Sequence, residues 1–485
     1  MKFNTRIAAA VAVVCSAGAF APFASHAIDA STVPASNRLH VSGATATDAI
    51  LVRRLLEVGG MCQGGTIDAY SDAANLEDAS NRGIFCNSSG QAGAPAAGTP
   101  VGVLKESLGG SGFGTGPVAD AALMTFVNPV TASCTAGVAV AANSIAALTP
   151  HQAFTLHANC PTTTFRTEAG VADVEPRLLG ATPSQVSRMQ SNALAAIVFA
   201  PAATVNLRNA LQAQQGLTVG SDDETQIPSL SMAELRGLWT GFYGTWDNFT
   251  DGSGAALAPA DPTVYICRRG DSSGTQTSFE AYFLNEGCTD GVATFALASD
   301  PACQADGCAW TPARLSETTF AGDGGGQVRA CLDAHHAAGH FAIGVLSTDS
   351  TFNNTNRRFR YIGINQQTPT LEQVAQGDFD FFSENVLNRR TTAFNGQPVI
   401  SGVKLALFNH VDNRLSVGVI VDHGVSGQGG SLGVPDFVSL IPNAPPVTRA
   451  AITANPVNSS LRSALGSVNN CAPPVAAVPV ETSQP

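Results

Sequence analysis

The sequence predicts an α/β fold, because units of buried strand, polar loop and helix recur along it. The clearest unit starts with the apolar run 264–267 (VYIC) and continues with a polar loop over 268–275 (RRGDSSGT). Phe279, Tyr282 and Phe283 follow at helical spacing, which predicts a helix after the loop. A similar unit lies near the start of the chain, where strand 39–41 precedes a loop over 42–47 and a helix through Leu56.

The loop at 268–275 is a candidate anion site. Ser273 or Thr275 can cap the following helix, whose first N–H groups have no acceptor within the helix. The helix dipole favours negative charge at that end. Arg269 adds a planar guanidinium that matches the geometry of an oxyanion. A plain helix cap is the alternative interpretation, since Ser, Gly and Thr are common at helix N-termini.

A third unit combines strand 101–104 with Ser107 and a glycine run. The glycines suggest a dinucleotide-binding loop, but Pro117 interrupts the helix that such a loop requires, and a tight turn is the alternative. The remaining periodicity predicts strands at 193–201, 341–346 and 359–364, helices at 205–215, 328–337 and 370–377, and a strand-rich part that begins at 405–408. The stretch 228–246 is interpreted as a helix capped by Ser231 and followed by an aromatic turn. Two stretches, 59–100 and 134–160, are interpreted as loop-rich insertions, and the tail from Asn469 as disordered.

Size and charge restrict the function. A chain of 485 residues has room for two or more domains. Its net charge of −12 and the lack of a basic run argue against nucleic acid as a partner. An anion must therefore be held by local dipoles and a few placed donors rather than by a positive surface.

The N-terminus has the features of a cleaved secretory signal over residues 1–27. Lys2 and Arg6 precede an apolar region that ends near Phe23, and Ala27 closes a small-residue cleavage site. Cys15 follows a valine, which fits a lipoprotein cleavage site poorly. A periplasmic or secreted protein that starts at Ile28 is predicted.

Ten cysteines remain after the signal, and an even number in an exported protein predicts disulfides. Nearness in sequence favours the pairs Cys62–Cys86, Cys134–Cys160 and Cys303–Cys308, and it leaves unassigned Cys267, Cys288, Cys331 and Cys471. Zinc is the rival interpretation of the cysteines. It is also the minor interpretation of His336 and His340, which have i, i+4 spacing without an HExxH motif.

Taken together, these loops resemble the periplasmic phosphate-binding proteins of ABC importers. The most specific part is 268–275, which looks like that family's R-R-x-D-G-S-G-T loop with Ser272 in place of a glycine. The loops 42–45 and 107–110 are similar to the family's G-A-T and S-x-G-G loops, and 172–176 is similar to its S-D-x-P turn.

The resemblance implies a two-lobed type II periplasmic binding protein fold with disulfide-bearing insertions. One lobe is expected to combine residues 28–200 with 355–485, and the other to span 201–354. Two crossovers between the lobes would permit hinge closure over a ligand.

The resemblance also implies which residues bind phosphate in the cleft. They are Thr45, Ala46, Ser107, Asp173, Arg269, Ser273, Gly274 and Thr275. Asp271 is expected to hold the Arg269 guanidinium in place, and Arg268 to contribute little. Asp173 would accept a hydrogen bond from an O–H of the ligand and so exclude sulfate, which keeps no proton near neutral pH. The alternative is that Asp173 only caps a turn. No catalytic residue, cofactor or metal is predicted.

Three classes of function remain open. The first is a receptor that binds phosphate, or a similar protonated oxyanion, and delivers it to an ABC permease. The second is an exported phosphatase on the same scaffold, and the third is a secreted surface or matrix protein. A fold resemblance alone does not separate them.

Overall fold

The computed structural model describes residues 28–415, with gaps at 46–47, 77–78, 92, 146–147, 149, 252, 285–297, 304–306, 349, 351, 353, 371–372 and 375–377, and the strand Phe437–Val438. The chain has the predicted mixed α/β fold around a large sheet. The predicted tail from Asn469 lies outside the described residues, as does most of the predicted helix at 370–377. In the described part of the chain, none of the helices has the length and apolar character needed to cross a bilayer.

The strands of the described residues are numbered in chain order. They are β1 (Arg38–Gly43), β2 (Asp68–Ser71), β3 (Asn81–Asn87), β4 (Pro100–Glu106), β5 (Leu123–Val127), β6 (Val138–Val140), β7 (Phe154–His157), β8 (Thr162–Arg166), β9 (Ala169–Ala172), β10 (Met189–Thr204), β11 (Ser229–Leu230), β12 (Tyr265–Arg269), β13 (Thr319–Gly322), β14 (Ala342–Ser347), β15 (Phe359–Tyr361), β16 (Gly363–Ile364), β17 (Phe382–Arg390) and β18 (Phe437–Val438).

The helices are numbered in the same way. They are α1 (Asp48–Leu56), α2 (Gly116–Asp120), α3 (Pro183–Ser187), α4 (Val205–Gln214), α5 (Met232–Trp239), α6 (Gly274–Phe283), α7 (Gly325–Ala337) and α8 (Gly402–Leu415).

One sheet runs through the described part of the molecule, in the order β13-β12-β14-β10-β17-β9-β1-β4-β3-β2-β7-β6. The long strand β10 joins its two halves. Its residues 189–198 pair with β17, and its residues 199–203 pair with β14. We call the strands from β17 to β6 the first half of the sheet, and β13, β12, β14 and β15 the second half. Whether these halves match the lobe boundaries expected from the sequence stays a prediction.

Parallel pairing sets the direction of the loops that matter for function. In the first half, β1 is parallel to both β4 and β9. In the second half, β12 is parallel to both β13 and β14. Because parallel strands end at the same edge of a sheet, the loops after them lie side by side.

The local sequence explains the helix boundaries well. Ser231 caps α5 by accepting from the Glu234 N–H, and the Glu234 carboxylate accepts from the Ser231 N–H. This reciprocal capping box agrees with the predicted helix start. Ser273 caps α6 by accepting from the Gln276 N–H.

Three predictions about elements were wrong. The intervals 59–100 and 134–160 are not only insertions, since β2 and β3 in the first and β6 and β7 in the second are members of the main sheet. The run 405–408 does not begin a strand-rich part but lies in α8. Leu407, Phe408 and Val411 bury one face of that helix, and a short apolar run alone does not distinguish a buried helix from a strand.

Disulfides fix four points of the described chain. The predicted pairs Cys62–Cys86, Cys134–Cys160 and Cys303–Cys308 are confirmed. A fourth bond joins Cys267 on β12 to Cys331 on α7, across 64 positions of sequence. Cys288 and Cys471 lie outside the described residues.

Candidate functional site

A cavity of about 640 Å³ lies where loops from the two halves of the sheet meet. Four of the residues predicted from the sequence line it, namely Thr45, Ser107, Arg269 and Thr275. Thr45 follows β1, Ser107 follows β4 and Arg269 ends β12. The carboxyl ends of parallel strands are where open α/β sheets bind their ligands, so the cavity occupies the expected edge.

The first loop turns sharply at Gly43. Its φ angle is +112°, and a Cβ there would lie 2.7 Å from the Gly114 Cα and closer still to the Val171 carbonyl. Only glycine fits this position. The chain then reaches Thr45, whose carbonyl accepts from the Asp48 N–H at the start of α1. Ala46, also predicted to bind phosphate, lies outside the described residues.

The second loop carries a hydroxyl group with a defined orientation. The Lys105 ammonium, which is 2% exposed, donates to Ser107 Oγ at 2.9 Å. It also donates to the Gly43 and Glu106 carbonyls, and it forms an ion pair with Asp48 Oδ1 at 3.1 Å. Because Ser107 Oγ accepts from a cation, its own hydrogen is directed elsewhere and is available to an acceptor in the cavity. Burial lowers the pKa of Lys105.

The third loop places the N-terminus of α6 beside the cavity. Gly274 and Thr275 are the first residues of the helix, so their N–H groups have no acceptor within it. Thr275 lines the cavity and is 6% exposed. Ser273 is 2% exposed and its hydroxyl is engaged as the helix cap, which places its contribution at the helix end rather than in the cavity lining.

Arg269 is the buried cation of the site. It is 5% exposed, and its guanidinium donates to the Gly322 carbonyl at 3.3 Å and to the Asp323 carbonyl at 3.0 Å. Burial lowers the pKa of Arg269 to about 10, and the nearby carboxylates of Asp173 and Asp323 oppose that shift. The guanidinium is therefore still charged at neutral pH.

Asp271 has a different partner from the expected one. Its carboxylate accepts from Arg268 Nη1 at 2.8 Å, whereas Arg269 is held by backbone carbonyls. The adjacent arginines point to opposite sides of the strand end, as strand geometry requires. Arg268 lies outside the cavity lining.

Asp173 lies directly behind the α6 N-terminus and not in the cavity wall. Its Oδ2 accepts from Ser111 Oγ at 3.1 Å, and its Oδ1 accepts from Asn385 Nδ2 at 2.9 Å. A Cβ added to Gly274 would lie 2.9 Å from the Asp173 Cβ, which shows how closely the two loops approach. Asp173 is 3% exposed, and it interacts electrostatically with Arg269.

Several lining residues were missed by reasoning from sequence. The glycine run 324–326 forms the N-terminus of α7, a helix that begins three residues before its predicted start. Arg82, Arg329 and Arg357 line the same cavity. The run GDGGG at 322–326, which precedes a helical pattern, could have predicted a third helix N-terminus at the cavity. The three arginines stand in no motif, so the sequence gives no reason to place them there.

The histidines considered as zinc ligands lie apart from this cavity. His336 Nδ1 is 3.3 Å from Asn206 Oδ1, whereas His340 Nδ1 is 3.1 Å from Nδ1 of a different histidine, His335. The rings of His335 and His340 pack on Tyr265. Burial lowers the pKa of His335 to about 4, which keeps it neutral near pH 7. The nearest sulfur ligands, Cys267 and Cys331, are bonded to each other.

No protein-family profile and no curated protein matches this sequence. Among solved structures, a phosphate-binding protein from Stenotrophomonas maltophilia is similar over 90% of this chain and 99% of its own, at 12% identity and a TM-score of 0.38. PstS from Borrelia burgdorferi matches 80% of this chain and 97% of its own, at 10% identity and a TM-score of 0.34. A substrate-binding protein from Clostridium perfringens, assigned to a phosphate ABC transporter and solved with bound phosphate, covers the same shares at 10% identity and a TM-score of 0.40. These three solved structures belong to the family that the sequence motifs resemble.

Proposed function

We propose that the chain is an exported solute-binding protein that binds phosphate in the cavity between the two halves of the sheet and delivers it to an ABC permease. The observation that carries this assignment is the composition of the cavity lining. Four donor residues, Thr45, Ser107, Arg269 and Thr275, come from three loops and line one space.

The electrostatics of the lining favour an anion. The N-termini of α1 and α6 place positive dipole ends at the cavity, and Arg269 adds a full charge that burial shields from solvent screening. The chain as a whole has a net charge of −12, so attraction is confined to this locality. Such a site binds an anion through placed donors, as the sequence predicts.

Contacts between the halves support a cleft that closes around its ligand. The Gly112 N–H from the first half donates to the Ser272 carbonyl from the second at 2.8 Å. The hydroxyls of Ser278 and Ser383 are 2.7 Å apart. We propose that the halves act as two lobes, with residues 28–200 and 355–485 mostly in one and 201–354 mostly in the other, and that bending of β10 and β17 closes them.

Asp173 fits a ligand that keeps a proton. Asp173 lies behind the cavity lining in this structure, and we propose that closure of the two halves brings the ligand to it. Phosphate near neutral pH carries a hydrogen that a carboxylate can accept, whereas sulfate would place an unprotonated oxygen against the Asp173 charge. The partners of Asp173 tolerate an amide, because Ser111 Oγ can accept as well as donate and Asn385 can keep donating. This makes Asp173→Asn a clean test of selectivity.

The test of phosphate binding is calorimetric titration of the mature protein, residues 28–485. Wild type should bind phosphate, and Arg269→Ala should weaken binding by about tenfold or more, since a charge-assisted hydrogen bond contributes about 1.5–3 kcal/mol. Arg268→Ala is the matched control, because its guanidinium is engaged with Asp271 outside the cavity. Wild type that does not bind phosphate would overturn the proposal, and equal losses for both arginines would overturn the assignment of Arg269. Delivery to a permease is tested separately, by phosphate uptake in cells that lack their own receptor.

A further inference from the structure

The cavity is larger than orthophosphate requires. At about 30 Å³ for each water-sized group, the five heavy atoms of orthophosphate fill about 150 Å³. The cavity measures about 640 Å³. This volume is present although the two halves of the sheet touch each other, since the Gly112 N–H donates to the Ser272 carbonyl at 2.8 Å. The cavity therefore has room for a substituent on the phosphoryl group.

The charged groups that line this additional space are paired within the protein. Asp48 forms an ion pair with Arg82 at 3.3 Å. The carboxylate of Asp333 interacts electrostatically with both Arg329 and Arg357. Because these charges compensate one another, the substituent that occupies the space does not have to carry a charge of its own.

Apolar residues from both halves line the cavity as well. Leu108 follows β4 and is 39% exposed, so part of its surface is not covered by protein. The loops between β2 and β3 and between β6 and β7 contribute Leu76 and Leu148. Val345 and Leu346 lie on β14 in the second half. A hydrocarbon substituent that packs against these residues leaves water, which favours binding.

The proposed role of Asp173 restricts how the substituent is attached to phosphorus. Its carboxylate accepts a hydrogen from the bound ligand, so the ligand must keep a proton near neutral pH. A phosphate ester has a second pKa of about 6 and has mostly lost that proton. In an alkylphosphonate, carbon is bonded directly to phosphorus and withdraws fewer electrons than an ester oxygen does. Its second pKa is therefore higher, and a larger fraction of the molecules keeps the proton.

We propose that the cavity binds alkylphosphonates, with the phosphonate group at Arg269 and the α6 N-terminus and the alkyl chain against the apolar residues. This inference rests on the proposed function, because the phosphonate group takes the place of orthophosphate and meets the same donors. Each methylene group that is fully buried strengthens binding by about fourfold. Two buried methylene groups therefore account for more than about tenfold.

The test is calorimetry of the mature full chain near neutral pH with four probes. They are orthophosphate, methylphosphonate, n-butylphosphonate and n-butyl phosphate. The eight heavy atoms of n-butylphosphonate fill about 240 Å³ and fit the cavity. This probe should bind about tenfold or more tightly than methylphosphonate and at least as tightly as orthophosphate. The ester n-butyl phosphate carries the same chain but keeps less of its proton, so it should bind several-fold more weakly than n-butylphosphonate.

Variants separate the alkyl chain from the phosphonate group. Leu108→Asn and Leu148→Ala should each reduce the advantage of n-butylphosphonate over methylphosphonate and leave the affinity for orthophosphate within about twofold. An unchanged affinity for orthophosphate also shows that the variant is folded. Leu123→Asn is the matched control, because Leu123 is 58% exposed and lies outside the cavity lining.

The outcomes distinguish this inference from the proposed function. If orthophosphate binds and n-butylphosphonate binds no more tightly than methylphosphonate, the inference is overturned while the proposed function stands. An advantage of the butyl chain that survives both leucine substitutions also overturns it. Equal binding of n-butyl phosphate and n-butylphosphonate by wild type would overturn the assignment to phosphonates. If none of the four probes binds, the proposed function and this inference both fail.

Discussion

Adding one methyl group at Gly274 should disrupt the candidate site. A Cβ at this position would lie 2.8 Å from the Ser111 Cβ and 2.9 Å from the Asp173 Cβ, and closer still to Ser111 Oγ. Ser111 cannot move away cheaply, because it is fully buried and its hydroxyl both accepts from and donates to Asp173. The two loops must therefore separate.

The expected cost follows from the character of the contact. Overpacking of a well-packed region costs about 1–3 kcal/mol, from which the better helix propensity of alanine recovers at most about 1 kcal/mol. We expect Gly274→Ala to lower the melting temperature by a few degrees. We also expect weaker phosphate binding by about tenfold or more, because the α6 N–H groups shift away from the cavity and charge-assisted bonds are lost.

Differential scanning fluorimetry and phosphate calorimetry measure both effects. Gly244→Ala serves as the control, since a Cβ there meets nothing within 4 Å and the residue lies outside the cavity lining. If Gly274→Ala melts and binds as wild type does, the close approach of the two loops is wrong, and with it the placement of Asp173 behind the α6 N-terminus.

The remaining predictions concern selectivity, one disulfide and one buried carboxyl group. Asp173→Asn should narrow the preference for phosphate over sulfate in competition calorimetry, because an amide can donate to a sulfate oxygen that has no proton. An unchanged preference would show that Asp173 does not determine selectivity. Replacing Cys267 and Cys331 together by alanine should lower the free energy of unfolding by about 4 kcal/mol, which is the chain-entropy value for a loop of 64 residues, their separation in sequence. Alkylation of unreduced wild type should label neither cysteine, and labelling of both would contradict the pairing. Burial raises the pKa of Glu106 to about 8 in the folded protein. The protonated carboxyl group therefore stabilises the fold fully below the pKa that Glu106 has in the unfolded chain, and this stabilisation is lost as the pH rises through about 8. The fall in melting temperature between about pH 5 and pH 9 should be smaller for Glu106→Gln than for wild type, and an equal fall in both proteins would refute this.

The parts of the fold that were predictable are those encoded over a few neighbouring residues. The unit around Arg269 has an apolar run, a capping serine and a helical repeat within some twenty positions, and the structure places β12 and α6 there. Three of the disulfides were predictable for the same reason, because their partners are close in sequence. The pair Cys267–Cys331 was not, since it depends on α7 packing against β12.

The convergence of loops on one cavity was predictable for a different reason. Thr45, Ser107 and Arg269 each stand at the end of a predicted strand, and parallel strands end at one edge. Arg329 and Arg357 belong to no such motif. They reach the cavity because α7 and the segment before β15 fold back toward it, and this arrangement depends on contacts between parts of the chain that are distant in sequence.

Strand β10 has a mechanical consequence for any movement of the two halves. One continuous backbone is hydrogen-bonded to β17 in the first half and to β14 in the second, so the halves cannot rotate about a free linker. A change in their relative angle must be stored as elastic twist in the β10–β17 ribbon, whose register shifts between Ala193 and Ala196. Asn385 lies on β17 and donates to Asp173, so twist in the ribbon reaches the carboxylate behind the α6 N-terminus directly. If the halves close as proposed, the stiffness of this ribbon sets both the energy of that closure and the position of a charge beside the site.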